Sequence, residues 1–92
     1  MMPEYVAEVV RGNTLMRTPP YARLQEALAD GITLSAISDR VSLIATNGTR
    51  ERVIADIVSH DETQYLISPD ALPEEVREIR SLFSAAKVGQ NA

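Results

Sequence analysis

Ser59-His60-Asp61 holds the three residue types of a hydrolytic triad, and His60 is the only histidine in the chain. Neighbours on one turn cannot converge as a triad does, because that geometry needs side chains delivered from separate elements. Metal ligation at His60 would have to draw on Asp56, Asp61 or Glu62. A stable zinc site wants three or more protein ligands, chiefly His or Cys, and the chain has no cysteine. His60 therefore reads as an exposed turn residue, with neither a catalytic nor a metal-binding role.

Carboxylates are the other abundant reactive groups. The formal net charge is −4, and the acidic excess lies in the C-terminal part. Asp61, Glu62, Asp70, Glu74, Glu75 and Glu78 face only Arg77 within that stretch. General acid–base chemistry needs a shielded cleft that raises one carboxyl pKa, and no part of this pattern implies one. Glu74 and Glu78 stand four apart and mildly repel on a helix, which suits a solvated face. A field of this sign attracts basic surfaces and repels phosphate backbones. These six residues are the candidate protein-binding site.

Gly12, Gly31, Gly48 and Gly89 are isolated, so no glycine-rich phosphate loop exists. The residue types together predict a protein without enzymatic activity and without a cofactor. Tyr5, Tyr21 and Tyr65 are scattered and lack a basic surround, so no aromatic platform for RNA is expected.

The elements that must position these residues are set by turn chemistry and periodicity. Val41–Val58 is the most informative stretch. Val41, Leu43 and Ala45 alternate with Ser42, Ile44 and Thr46, then Asn47-Gly48 precedes Val53-Ile54-Ala55-Asp56-Ile57-Val58. Asn-Gly between two β-rich runs predicts a hairpin with a type I′ turn, both central residues taking positive φ. Residues 4–18 predict a further hairpin turning at Gly12-Asn13, because three valines in six residues suit a pleat; a helix from Pro3 to Arg11 is the rival. Thr63–Ser68 reads as another strand.

Two helices are expected. One covers about 20–30, with Tyr21, Leu24, Ala27 and Leu28 on one face and Gly31 ending it. The other covers 73–87, opened by Pro73 with Glu74 and Glu75 in its first turn. Its apolar stripe is Val76, Ile79, Leu82, Phe83 and Ala86, and Lys87 and Gly89 close it. Ile32–Asp39 fits either a strand or a short helix. Residues 89–92 read as a frayed tail.

The 92 residues thus predict one small two-layer α+β domain. An antiparallel sheet of three to five strands is packed by two amphipathic helices on one face. The other face is left exposed or used for association. No basic-then-apolar leader follows Met1, no run is long enough to span a membrane, and cysteine is absent, so a cytoplasmic setting is expected.

Ala27, Gly31, Ile37 and Val41 have a spacing that resembles the helix-turn-helix of Cro-like repressors. That resemblance implies a DNA-binding regulator with Ile32–Val41 helical. DNA affinity comes largely from phosphate neutralisation, so in an acidic chain direct nucleic-acid contact is not expected. The favoured reading is a small inhibitor or adaptor that occludes a basic protein surface or nucleoprotein complex with its acidic segment. In size and charge alone the chain resembles the anti-CRISPRs, small acidic phage proteins. A third reading is an assembly subunit that self-associates through its sheet, as a homodimer in the simplest case.

Overall fold

The computed structural model describes residues 3–59 and 61–91, with side chains through Ser84. His60, and with it the reading of a turn histidine, lies outside the described residues. Five strands and two helices follow one another as β1 (Glu4–Arg11), β2 (Thr14–Arg17), α1 (Leu24–Ser35), β3 (Arg40–Thr46), β4 (Glu51–Ser59), β5 (Thr63–Ile67) and α2 (Pro73–Asn91). All neighbours pair antiparallel in the order β2-β1-β3-β4-β5. The expected α+β class stands, with the sheet at the upper end of its expected size.

The N-terminal stretch is the hairpin, not its helical rival. Arg11 pairs with Thr14 across the two-residue turn, and only Gly12 has positive φ, at 59°. That is the type II′ requirement, which glycine meets at no steric cost. The central hairpin departs from the expected turn. Thr46 pairs with Glu51, so the loop is four residues long and Asn47 does not take positive φ. Instead the Asn47 Oδ1 accepts from the Thr49 and Arg50 N–H groups at 3.2 and 2.9 Å. This side-chain-to-backbone bonding competes with the tight turn and replaces it.

Ala7, Val41, Leu43, Ala45, Ala55 and Ile57 form the inner sheet face. Leu24, Ala27 and Leu28 of α1 and Ile79 and Phe83 of α2 close over it. The Tyr65 ring packs on Phe83 with centroids 4.3 Å apart.

Gly31 does not end α1. The helix runs through it to Ser35, so the strand reading of Ile32–Asp39 fails. Gly31 sits where the helix lies close against the sheet. A β-carbon there would meet Ile57 Cδ1 at 3.2 Å and Leu43 Cδ2 and Val41 Cγ1 at 3.4 Å. Its φ is not positive, so the reason for glycine is space, not backbone freedom. The Cro-like reading fails with it. Ala27 and Gly31 share one continuous helix, no second helix follows before β3, and Val41 stands in β3. At the other end α1 begins at Leu24, later than expected. Tyr21 precedes the helix but packs against the core, bridged to Tyr5 by two backbone bonds of 2.8 Å. α2 begins at Pro73 as expected and its range passes Gly89.

One irregularity reorganises β4. Leu43 pairs with Ala55 but Ile44 pairs with Val53, so Ile54 is an extra residue opposite β3. A bulge of this kind reverses the facing of the side chains on one side of it relative to those on the other, here Glu51–Val53 relative to Ala55–Ile57. Arg52, opposite Ala45, therefore lies on the helix side, and Glu51 and Val53 lie on the outer side.

Gly31→Ala is expected to stay within about 1 kcal/mol of the parent, because the helix-propensity gain of Ala offsets the tight contact. Gly31→Val is expected to lose about 2 kcal/mol or more by overpacking. Urea denaturation checks both. An unfolding midpoint unchanged by valine would show that α1 does not press on Ile57 here.

Candidate functional site

The six carboxylates singled out by sequence do not form one patch. Asp61 and Glu62 are exposed on the β4–β5 turn, and Glu62 lies beside Phe83 and Ser84, midway along α2. Asp70 and Glu74 are exposed at the start of that helix, and Glu78, one turn further in, is half-buried. Nine residues of helix, roughly 13 Å, separate Glu74 from Phe83.

Glu75 is not a surface residue. It is 3% exposed, and its two oxygens accept from Arg52 Nη1 and Nη2 at 2.7 and 3.1 Å. The Leu72 N–H donates to it at 2.8 Å. This is the reciprocal half of a capping box, in which the third helical residue reaches back to the residue before the helix. Arg52 Nη1 also donates to the Asp70 carbonyl at 2.9 Å. Burial pushes the Glu75 carboxyl up, but the Arg52 hydrogen bonds, the Leu72 N–H and the Arg52 charge together hold it below its ordinary value of 4.5. The hydrogen bond that Arg52 donates to Glu75 raises the Arg52 guanidinium in turn. Burial and then the nearby Glu75 and Glu78 carboxylates raise the Tyr5 phenol. The cluster fastens α2 to β4.

Other enclosed carboxylates are also engaged. Asp56 Oδ1 accepts from Ser42 Oγ at 2.6 Å, and Asp30 accepts from the Tyr21 hydroxyl. Among the described residues no group of three His, Cys, Asp or Glu side chains could hold a metal ion. No helix among them is long and apolar enough to cross a membrane.

The surface that stands out is apolar and lies at the β2 edge of the sheet, away from β5. A groove of about 660 Å³ runs between β2 and the end of α1, lined by Val9, Met16, Leu34 and Ile37 with Arg11, Thr14, Arg17 and Thr18. Leu15, Met16 and Ile37 are 62, 63 and 64% exposed. The local chain ties explain why Met16 and Ile37 gather, with Leu15 on the opposite face of the same strand. Because α1 overruns Gly31, Leu34 reaches the β1–β2 hairpin. Ser38 Oγ then donates to the Leu34 carbonyl at 2.7 Å. The Asp39 N–H donates to the Val10 carbonyl at 2.8 Å, and Asp39 Oδ2 accepts from the Gly12 N–H at 2.7 Å. The α1–β3 connection is thus stitched to the hairpin, with Ile37 held beside Met16.

β2 is also an open edge. The two-residue turn makes Arg11–Thr14 a hydrogen-bonded pair, and such pairs alternate along an antiparallel ladder. Thr14 and Met16 therefore bond inward to β1. The Thr18 N–H continues the pattern, donating to the Ala7 carbonyl at 3.0 Å. The N–H and C=O groups of Leu15 and Arg17 are directed away from β1. Known proteins give no guide to this site. No family model, curated protein or solved structure matches the chain.

Arg17 is the charged residue on this edge, and its charge is already neutralised. Its Nε donates to Glu8 Oε2 at 2.8 Å, and Nη1 and Nη2 donate to the Glu51 carboxylate at 2.6 and 2.9 Å. The reach to β4 passes over Val6 and Ile44, which are 5 and 4% exposed although no helix covers this face. Glu51 is held below its ordinary value by the hydrogen bond from Arg17.

The sequence reading missed Leu15, Met16 and Ile37. A usable signal was present. Adjacent Leu15 and Met16 in a short strand put one apolar side chain on each face, which a strand buried on one face only does not need.

Glu75→Gln is expected to cost about 2 kcal/mol, since it leaves Arg52 with one charge partner fewer under α2. Glu74→Gln is expected to be near neutral. A depressed carboxyl contributes stability that is present above 4.5 and is lost as pH falls through the lower folded value. Denaturation between pH 7 and 3 checks this: the parent loses stability in that acid window, and the Glu75→Gln variant loses less. Equal pH slopes for the two proteins would contradict the pairing.

Proposed function

We propose that the protein is a binding module without catalytic activity whose working surface is the β2 edge with its adjoining groove. A partner segment adds to β2 as a sixth strand. The observation that carries this reading is the unsatisfied backbone of Leu15 and Arg17 lying directly beside three exposed apolar side chains. Main-chain bonds at such an edge give affinity, and pockets for alternate side chains give selectivity. The Val9–Met16–Leu34–Ile37 groove offers a pocket of that kind on the inner side.

The other open edge suits this role less well. β5 is flanked by Asp61 and Glu62 before it and Asp70 after it, charges of the sort that discourage strand addition. Thr14–Arg17 carries no Pro or Lys, and its single charge is paired. The acidic-surface reading keeps Asp70, Glu74 and Glu78 around the first turns of α2, but it loses Glu75 to the interior and Asp61 and Glu62 to the separate β4–β5 turn. Engagement of Glu75, Asp56 and Asp30 in structural hydrogen bonds supports binding over chemistry. A cysteine-free chain suits a reducing cytoplasm.

Ten-residue random peptides displayed and selected on the folded protein test the edge. Selected peptides are expected to perturb the backbone resonances of Thr14–Arg17, Leu34 and Ile37. Leu15→Pro removes an outward N–H that the fold does not use, and it is expected to leave the fold intact while weakening these peptides by about tenfold or more. Met16→Glu tests the groove by a route that spares the backbone. Peptides that bind both variants as well as the parent, and that perturb Glu74 and Glu78 instead, would return the function to the acidic end.

A further inference from the structure

We infer that the strand added at β2 is the β2 of a second copy of this chain, the two copies forming a continuous ten-stranded sheet about a two-fold axis at Met16. This rests on the β2 edge being the working surface.

The edge is complementary to itself in one register. The pairable segment is Thr14–Thr18, bracketed by the Gly12-Asn13 turn on one side and Pro19-Pro20 on the other. Its centre is Met16. When a second copy lies antiparallel about that centre, Leu15 of each copy faces Arg17 of the other. Those are the two residues whose N–H and C=O groups point away from β1. The two pairs exchange four backbone hydrogen bonds, and Met16 meets Met16 between them in a non-hydrogen-bonded pair. A foreign peptide could match this pattern; a second copy matches it by symmetry.

The side chains agree with the register. A two-fold axis normal to the sheet keeps the inner face of one copy continuous with that of the other. Both Met16 side chains therefore lie on the groove side, so the two Val9–Leu34–Ile37 grooves become one apolar seam across the axis. On the outer side, Leu15 of one copy lies along the aliphatic stem of Arg17 of the other. Arg17 from each copy comes close to the axis, a repulsive arrangement were it not for Glu8 and Glu51. The ion pairs at 2.8 and 2.6 Å remove that repulsion before the copies meet.

The absence of cysteine makes the register directly testable. Non-hydrogen-bonded antiparallel partners have Cα atoms about 4.5 Å apart, within disulfide reach of about 4.4–6.8 Å. Met16→Cys should oxidise to a covalent dimer. The two Leu15 Cα atoms stand diagonally, roughly 8 Å apart, so Leu15→Cys should not cross-link under the same conditions. Sedimentation of the parent should show a monomer–dimer equilibrium between about 10 μM and 1 mM. Met16→Glu, checked for native circular dichroism, should shift it at least tenfold toward monomer.

A parent that stays monomeric across that range overturns the second copy, and peptides still selected at the Thr14–Arg17 edge then keep the strand-addition reading alive. Cross-linking of the Leu15→Cys variant but not of the Met16→Cys variant overturns the register. A dimer unmoved by both Met16→Glu and Leu15→Pro overturns this inference and the edge reading together.

Discussion

Ile54 is the residue on which the charged architecture depends. As the extra residue opposite β3 it reverses the facing of everything before it on β4. Arg52 is thereby brought under α2, where Glu75 receives it, and Glu51 is turned outward, where Arg17 reaches it. An unbulged β4 would exchange these faces, setting an arginine on the open side and a glutamate against the core. Two independent links, α2 to the sheet and β2 to the far strand β4, trace back to that one register shift. It also sets the chemistry of the β2 edge, because an Arg17 held by Glu8 and Glu51 no longer guards that edge with free charge.

The second constraint is the close approach of α1 at Gly31. With no side chain between helix and sheet, α1 lies flat on Val41, Leu43 and Ile57 and can run on to Ser35. Had it stopped at residue 30, Leu34 and Ile37 would not stand beside Met16, and no groove would exist. The apolar cover of the core and the exposed groove are therefore made by the same helix, its middle facing inward and its end beside β2.

Much of the fold was legible because its signals are local. Asn47-Gly48 marks a hairpin even though Asn47 uses its side chain rather than its φ, and Pro73 followed by acidic residues marks a helix start. The alternation in Val41–Ala45 fixes which side is core. What escaped the sequence depends on contacts far apart in the chain. Gly31 reads as a stop because glycine usually ends helices; only the presence of Ile57, Leu43 and Val41 opposite it gives glycine another purpose. Glu75 reads as one more solvated carboxylate until the bulge delivers Arg52, although its place three residues after Leu72 was a capping-box cue. The edge position of β2 follows from strand order, which no short stretch of residues encodes, so the apolar pair Leu15-Met16 shows its place at an open edge only once the order β2-β1-β3-β4-β5 is known.

The most direct measurement of the central claim is amide hydrogen exchange followed residue by residue as protein concentration is raised. Thr14 and Met16, bonded to β1 within one copy, should be protected at every concentration. Leu15 and Arg17 should exchange rapidly when dilute and slow by about tenfold or more as copies pair. Leu15 and Arg17 exchanging rapidly at all concentrations, while amides elsewhere gain protection, would place the working surface somewhere other than β2.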